Sequence, residues 1–150
     1  MDVHATLDAP CKAAAMFAFV EDLALYPQWM DLVHRAELDV SGAENPSWQV
    51  ELRARVGPLA RSKRLRMERT QHDAVAHVAV FERVELDDRR HSPWVLRAQV
   101  SESDGLSTLG MHLHYGGGLW TGGVLERVLT DQIMNGRERL RVLISSGEDL

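Results

Sequence analysis

The segment from Val33 to Tyr115 constrains the fold more than any other, because apolar and polar residues alternate along six stretches of it. In the clearest stretch, single polar residues separate Trp48, Val50, Leu52, Ala54 and Val56. A period of two predicts strands with one apolar face each, and the polar turns between them predict an antiparallel sheet. Such a sheet has to bury its apolar face against another layer.

A first strand and two short helices are predicted before this sheet. Val3, Ala5 and Leu7 alternate with polar residues and predict the strand, which brings the total to seven. The sequence Asp8-Ala9-Pro10 favours the start of a helix, which we expect to end near Asp22. Pro27 predicts a break, followed by a short helical turn that carries Trp29 and Met30.

A long amphipathic helix is predicted near the C-terminus. After Gly116-Gly117-Gly118, which we interpret as a turning joint, apolar residues recur with a helical period from Trp120 to Leu140. The predicted fold class is therefore α+β. It is a helix-grip arrangement in which a seven-stranded curved antiparallel sheet holds the long helix across its concave face.

The composition narrows the class of protein. With 150 residues, 45% of them hydrophobic, the chain is expected to form a single domain over residues 1–150. One cysteine excludes a disulfide-stapled module, and the lack of a long apolar run predicts no membrane insertion. The net charge of −5 argues against nucleic-acid binding. The first residues lack the pattern of a secretory signal, so we expect a cytoplasmic protein, either a monomer or a homodimer.

The N-terminal sequence resembles a known superfamily. Its motifs are Met16-Phe17-Ala18-Phe19-Val20-Glu21-Asp22, after Asp8-Ala9-Pro10, and then Leu25-Tyr26-Pro27-Gln28-Trp29-Met30. Together with the order of elements, they resemble the START-like (SRPBCC) superfamily, which includes the pollen allergen and polyketide cyclase/dehydrase families. The similarity in element order extends over nearly the whole chain, whereas the motifs end at Met30.

This resemblance implies a cavity between the sheet and the long helix, occupied by a lipid, a polyketide or another small hydrophobic molecule. The small residues Ala54, Ala98, Gly110 and Gly136 are expected to leave that space open. We expect a binding or carrier protein without a cofactor. The candidate ligand-binding residues lie on the apolar phases of the strands and the helix: Trp48, Leu52, Leu65, Met67, Trp94, Leu96, Met111, Leu113, Tyr115, Leu125, Leu129 and Gln132.

An enzyme of the polyketide cyclase/dehydrase type is the alternative. Tyr115 lies on an apolar phase, and its phenol could act as a general acid. A second candidate set is Arg97, His112 and His114, which share the polar phase of neighbouring strands and reach the cavity only if the strand phases are reversed. The two histidines lack a third ligand at a metal-binding spacing, so we expect no metal.

A basic strand provides a third hypothesis. Arg61, Lys63 and Arg69 share the phase of Leu65 and Met67 and could reach an anionic group of the ligand, or extend to water. Arg64 and Arg66 are predicted on the solvent face, where they would suit a ribosome- or protein-associated interaction module. Along Val75 to Leu86 the inward set stays open between Val78/Val80/Val84 and Ala79/Phe81.

Overall fold

The computed structural model describes residues 2–40, 44–56, 58–116 and 124–148. Within these ranges it contains seven strands, two α-helices and one 3₁₀ turn. In chain order they are β1 (Asp2–Ala9), α1 (Ala13–Val20), the 3₁₀ turn (Leu23–Gln28), β2 (Val33–Asp39), β3 (Ser47–Val56), β4 (Leu59–Asp73), β5 (Val78–Arg83), β6 (Trp94–Ser103), β7 (Leu106–Tyr115) and α2 (Val124–Glu148). Neither α-helix has, over its described residues, the length and apolar character needed to cross a membrane.

All seven strands form one antiparallel sheet in the order β1-β7-β6-β5-β4-β3-β2. Each strand from β2 to β7 pairs with its neighbour in the chain, as short connections require, and β1 pairs with the free side of β7. The predicted sheet of seven strands followed by a long helix is confirmed. The predicted glycine joint lies mostly outside the described residues, which include only Gly116 of it.

The register resolves which side chains of β5 point inward. Phe81 is opposite Leu96, and Ala79 is opposite Ala98, so both belong to the inner face of the sheet. Both side chains are completely buried, and Phe81 contacts the Trp48 ring edge to face at 5.6 Å. The Ala79/Phe81 alternative is therefore the inward set.

The segment between α1 and β2 differs from the prediction. The short helical turn lies before Trp29 and Met30 and includes Pro27, instead of following it. Asp22 caps the start of this turn, because its carboxylate accepts a hydrogen bond from the backbone N–H of Ala24 at 2.9 Å. A 3₁₀ turn this short can include a proline because few of its N–H groups are needed as donors.

Gly136 allows α2 to approach Trp29 closely. A Cβ atom at position 136 would lie 2.6 Å from the carbonyl oxygen of Trp29, nearer than two such atoms can come. The expectation that Gly136 leaves cavity space open was wrong, because Trp29 occupies that space. Gly110 is also not on the inner face, since it pairs with Thr6 and Gln99 on the polar phase of their strands.

Two arginines of α2 hold the helix to the edge of the sheet. Arg137 donates a hydrogen bond to the carbonyl oxygen of Thr6 at 3.1 Å, and Arg141 donates one to that of Asp8 at 3.0 Å. The two donors are one helical turn apart, and the two acceptors lie two residues apart on β1. The second half of α2 is thus fixed along this strand.

Candidate functional site

A cavity of about 70 Å³ lies against the inner face of the sheet. All of its described wall residues are apolar or aromatic: Val3, Leu23, Tyr26, Met30, Leu32, Val50, Leu52, Leu65, Met67, Trp94, Leu96, Met111 and Leu113. They come from β1, β3, β4, β6, β7 and the segment between α1 and β2. A wall of this kind suits a ligand that is mostly hydrocarbon.

Seven of the candidate ligand-binding residues lie on this wall, namely Leu52, Leu65, Met67, Trp94, Leu96, Met111 and Leu113. Trp48 and Tyr115 are buried in the core beside it without lining it. Gln132 is partly buried on α2, and the side chains of Leu125 and Leu129 lie outside the described part of the structure. The period-two alternation therefore located most of the wall that the sheet contributes.

Sequence reasoning missed the part of the wall between α1 and β2. Leu23, Tyr26, Met30 and Leu32 have no regular spacing, because the chain passes through a 3₁₀ turn and a bend there. Val50 is on the same phase as Leu52, so the alternation could have identified it. For the irregular segment, the only available signal was its high density of apolar residues.

The wall can adapt its shape. Met30, Met67 and Met111 supply three of its side chains, and an unbranched thioether changes conformation more easily than leucine or valine does. This matters because ligand sites for drug-sized molecules usually enclose about 300–1,000 Å³. A ligand larger than a few atoms would therefore bind only if these side chains move.

Tyr26 supplies one of two side-chain N–H or O–H groups on the described wall. Its hydroxyl donates a hydrogen bond to the carbonyl oxygen of Val20 at 3.0 Å, and both groups are buried. Burial raises the pKa of Tyr26 far above its ordinary value, and the nearby charge of Asp22 adds to the effect. The phenol therefore stays protonated, with its hydrogen committed to the backbone.

Trp94 supplies the other such group. Its ring stacks on Tyr115, which faces it across β6 and β7, with the ring centres 5.2 Å apart. The indole N–H is buried and has no hydrogen-bond partner among the described residues. A buried donor without a partner is uncommon, since it has lost water without gaining an acceptor.

A small group of charges lies near this part of the wall. Arg83 is opposite Met67, and its Nε atom is 2.9 Å from Oε1 of Glu85. Lys63 is partly buried opposite Leu52. Burial lowers the pKa of Lys63, and the positive charge of Arg83 lowers it further. Lys63 is thus a partly buried cation that lies opposite a residue of the cavity wall.

Arg66 points to the outer face of the sheet, as the alternation predicted, but it is not exposed to solvent there. Its guanidinium is only 2% exposed, and its Nε atom is 3.0 Å from Oδ2 of Asp39. It also donates hydrogen bonds to the hydroxyl of Ser47 at 2.8 Å and to the carbonyl oxygen of Val84 at 2.9 Å. The chain after β5 covers this point of the outer face, since Val84 N–H bonds to the carbonyl of Arg66 at 3.0 Å. Arg66 is therefore a structural residue and not a contact surface.

Arg69 is occupied within the fold as well. It donates a hydrogen bond to the carbonyl oxygen of Glu21 at 2.8 Å, and its guanidinium lies 5.9 Å from the centre of the Trp48 ring. Arg61 and Arg64 are exposed. Of the cations expected to reach a ligand, Lys63 alone among the described ones keeps a position beside the wall.

The polar set Arg97, His112 and His114 lies on the outer face, away from the cavity. Asp2 accepts hydrogen bonds from His112 Nε2 at 2.8 Å and from His114 Nδ1 at 3.1 Å. Arg97 donates one to Gln99 at 3.0 Å. The described residues contain no group of three or more His, Cys, Asp or Glu side chains arranged to hold a metal ion. A catalytic role for Arg97, His112 and His114 in the cavity required reversed strand phases, and the strands do not have those phases.

Solved structures of similar fold cover almost the entire chain. A protein from Thermus thermophilus, TTHA0849, matches with a TM-score of 0.70 at 15% identity, over 98% of this chain and 99% of that one. The Zhui aromatase/cyclase from Streptomyces gives 0.63 at 12% identity, over 97% and 93% of the two chains. A START superfamily protein from Mycobacterium smegmatis gives 0.64 at 12% identity, over 97% of each chain.

No protein-family model matches the sequence, and a search of curated proteins finds no match either. At sequence identities of 12% to 15%, a structural match shows that two chains share a fold and does not show that they share a function. Each of the three matches covers at least 93% of both chains, so the similarity extends over the whole fold. This protein therefore has the START-like, helix-grip fold that its N-terminal motifs and order of elements predicted.

Proposed function

We propose that this protein binds a small, largely apolar molecule between the sheet and the C-terminal helix, as a binding or carrier protein. The observation that carries the proposal is the cavity of about 70 Å³ with an apolar described wall. Burial of hydrocarbon surface would supply most of the binding free energy, at about 25 cal/mol for each Å² removed from water. A lipid-like or polyketide-like ligand has the surface to supply it.

Binding is favoured over catalysis by the chemistry of the wall. Among its described residues, Tyr26 has its proton committed to a backbone carbonyl, and Trp94 offers a donor that does not ionise in this pH range. General acid–base catalysis needs a group that can give up and recover a proton near the working pH. No described wall residue is such a group.

A pair of tryptophan variants on β4 tests the proposal. Leu65→Trp places an indole ring, which is larger than the leucine side chain, into the cavity, whereas Arg64→Trp places the same ring on the exposed face one residue away. Native mass spectrometry after incubation with hydrophobic extracts, and calorimetric titration with 2-acetylnaphthalene, measure retained ligand. We expect Leu65→Trp to lose binding while Arg64→Trp retains it. Equal binding by both variants, with circular dichroism confirming folding, would contradict this site.

The enzyme alternative rests on Tyr115, which is buried and stacked on a wall residue. If it delivers a proton to a carbonyl of a bound polyketide, Tyr115→Phe should abolish turnover and leave ligand affinity within about twofold, since the ring is retained. Full turnover in this variant would remove the catalytic assignment.

A second candidate function is contact with an anionic partner such as the ribosome. The supporting observation is that Arg53, Arg55 and Arg64 are exposed on the outer face of the β3–β4 hairpin, where Glu51 is the one acid between positions 51 and 64. Reversing the charge of Arg55 and Arg64 should abolish co-sedimentation with ribosomes. Unchanged co-sedimentation would end this candidate.

A further inference from the structure

The wall of the cavity contains one donor for which no partner is described. Tyr26 donates its hydroxyl hydrogen to Val20, whereas the indole N–H of Trp94 is buried without an acceptor among the described residues. An unpaired buried donor costs stability in the empty protein, and an acceptor brought by a ligand removes that cost. The lining therefore favours ligands that carry an acceptor over pure hydrocarbons.

The orientation of this donor is fixed before any ligand arrives. Trp94 is at the start of β6, directly opposite Tyr115 of β7, and the two rings stack with an angle of 29° between their planes. The Trp94 side chain is 3% exposed, so the surrounding core restricts rotation of the ring. A donor held in one direction selects the position of its acceptor, because hydrogen bonds weaken as their angle departs from linear.

The charges beside Leu52 and Met67 of the wall favour an electron-rich group, and one of them, Arg83, also donates a hydrogen bond to the carbonyl oxygen of Ser92, two residues before Trp94, at 3.3 Å. The carboxylate of Glu85 is engaged by Arg83 and by the backbone N–H of Arg66 at 3.0 Å. The ammonium group of Lys63 has no hydrogen-bond or ion-pair partner among the described residues. Two cations and one anion leave a net positive charge beside this region of the wall. An oxygen that carries partial or full negative charge is stabilised there.

From these observations we infer that the ligand carries a carbonyl or carboxylate oxygen that accepts a hydrogen bond from the indole N–H of Trp94. The inference rests on the proposed function and names the chemical class of the ligand: an apolar body with one oxygen acceptor at the Trp94 side of the cavity. A purely aliphatic ligand would leave this donor unpaired.

Three naphthalenes of similar size test it. 2-Acetylnaphthalene carries a ketone, 2-naphthoate carries a carboxylate, and 2-ethylnaphthalene carries no acceptor. Trp94→Phe keeps an aromatic ring and removes the donor. We expect this variant to weaken binding of the acceptor-bearing ligand by about twofold to tenfold, the value of one hydrogen bond, and that of 2-ethylnaphthalene by less than about twofold. The ligand whose affinity falls more in this variant, the ketone or the carboxylate, identifies the preferred acceptor.

Trp29→Phe is the matched control. Trp29 also has a buried indole N–H without a described partner, but it is not part of the wall of this cavity. Its replacement should leave the affinities for all three ligands unchanged. An independent readout on the unchanged protein is the ¹H–¹⁵N spectrum, in which the Trp94 indole N–H should shift downfield with the acceptor-bearing ligand and not with 2-ethylnaphthalene.

The outcomes separate this inference from the proposed function. If Trp94→Phe weakens the binding of all three ligands equally, and the Trp94 indole resonance does not shift when an acceptor-bearing ligand is added, the inference is overturned and the binding function stands. If none of the three ligands binds the unchanged protein, both are overturned.

Discussion

Two leucine truncations distinguish a cavity wall from a fully packed core. Leu65 lines the cavity and is 3% exposed, whereas Leu109 is 2% exposed and borders only a gap of about 10 Å³ near α2. Replacing either by alanine removes three carbon atoms, which at about 0.8 kcal/mol each amounts to about 2.4 kcal/mol of lost transfer free energy. The void left behind adds to this loss where the removed atoms had neighbours on every side.

We therefore expect Leu109→Ala to lower the free energy of unfolding by about 3–5 kcal/mol and Leu65→Ala by about 2–3 kcal/mol. The smaller loss at Leu65 follows because one side of it already faces open space. The order is reversed for ligand affinity, where we expect the larger change in Leu65→Ala and not in Leu109→Ala. Leu65→Ala enlarges the site and should bind 2-acetylnaphthalene more tightly than the unchanged protein does, while Leu109→Ala should not alter binding.

Urea unfolding followed by tryptophan fluorescence measures the stabilities, and calorimetric titration measures the affinities. The linear dependence of unfolding free energy on urea permits the comparison if both variants keep the same slope. A loss at Leu65 as large as that at Leu109, together with unaltered ligand binding, would show that Leu65 is packed on all sides. That result would refute the cavity as a binding site.

Three further predictions concern the framework around the site. Arg66→Ala should lower the free energy of unfolding in urea by about 3–5 kcal/mol, because it removes the buried guanidinium that binds Asp39, Ser47 and the carbonyl oxygen of Val84, whereas Arg64→Ala on the exposed face should change stability by less than about 0.5 kcal/mol. Gly136→Ala should lower the thermal midpoint of unfolding although alanine favours helix more than glycine does, because the alanine Cβ would lie 2.6 Å from the carbonyl oxygen of Trp29. An unchanged or higher midpoint would contradict this close approach. Hydrogen bonds from two histidines lower the pKa of Asp2, so the contribution of Asp2 to folding stability is present at neutral pH and is lost as the pH falls through that lowered pKa. The thermal midpoints of Asp2→Asn and the unchanged protein should therefore converge in acid, and a difference that stays constant with pH would contradict the assignment.

The fold and the sheet side of the cavity followed from the sequence because strand periodicity is a local property. Leu65 and Met67 could be assigned to the wall from their spacing alone, since alternate residues of a strand share a face. Leu23 and Tyr26 could not, because no repeating geometry relates side chains within an irregular turn.

Arg66 illustrates the limit for polar residues. Its phase on β4 predicted an outward side chain, and the side chain does point outward. Its burial depends on Val84 and the chain that follows β5, which covers the outer face at that point. Alternation gives the direction of a side chain, whereas burial depends on whatever distant segment covers it.

The attachment of α2 to β1 also bears on self-association. An edge strand exposes carbonyl and N–H groups that can pair with a strand of another molecule and initiate aggregation. Arg137 and Arg141 occupy the carbonyl oxygens of Thr6 and Asp8 on the free edge of β1, so an incoming strand would first have to displace two charge-assisted hydrogen bonds. The helix thereby protects one edge of the sheet from intermolecular pairing, which leaves β2, the strand at the opposite edge, as the other position where a strand of a second molecule could add.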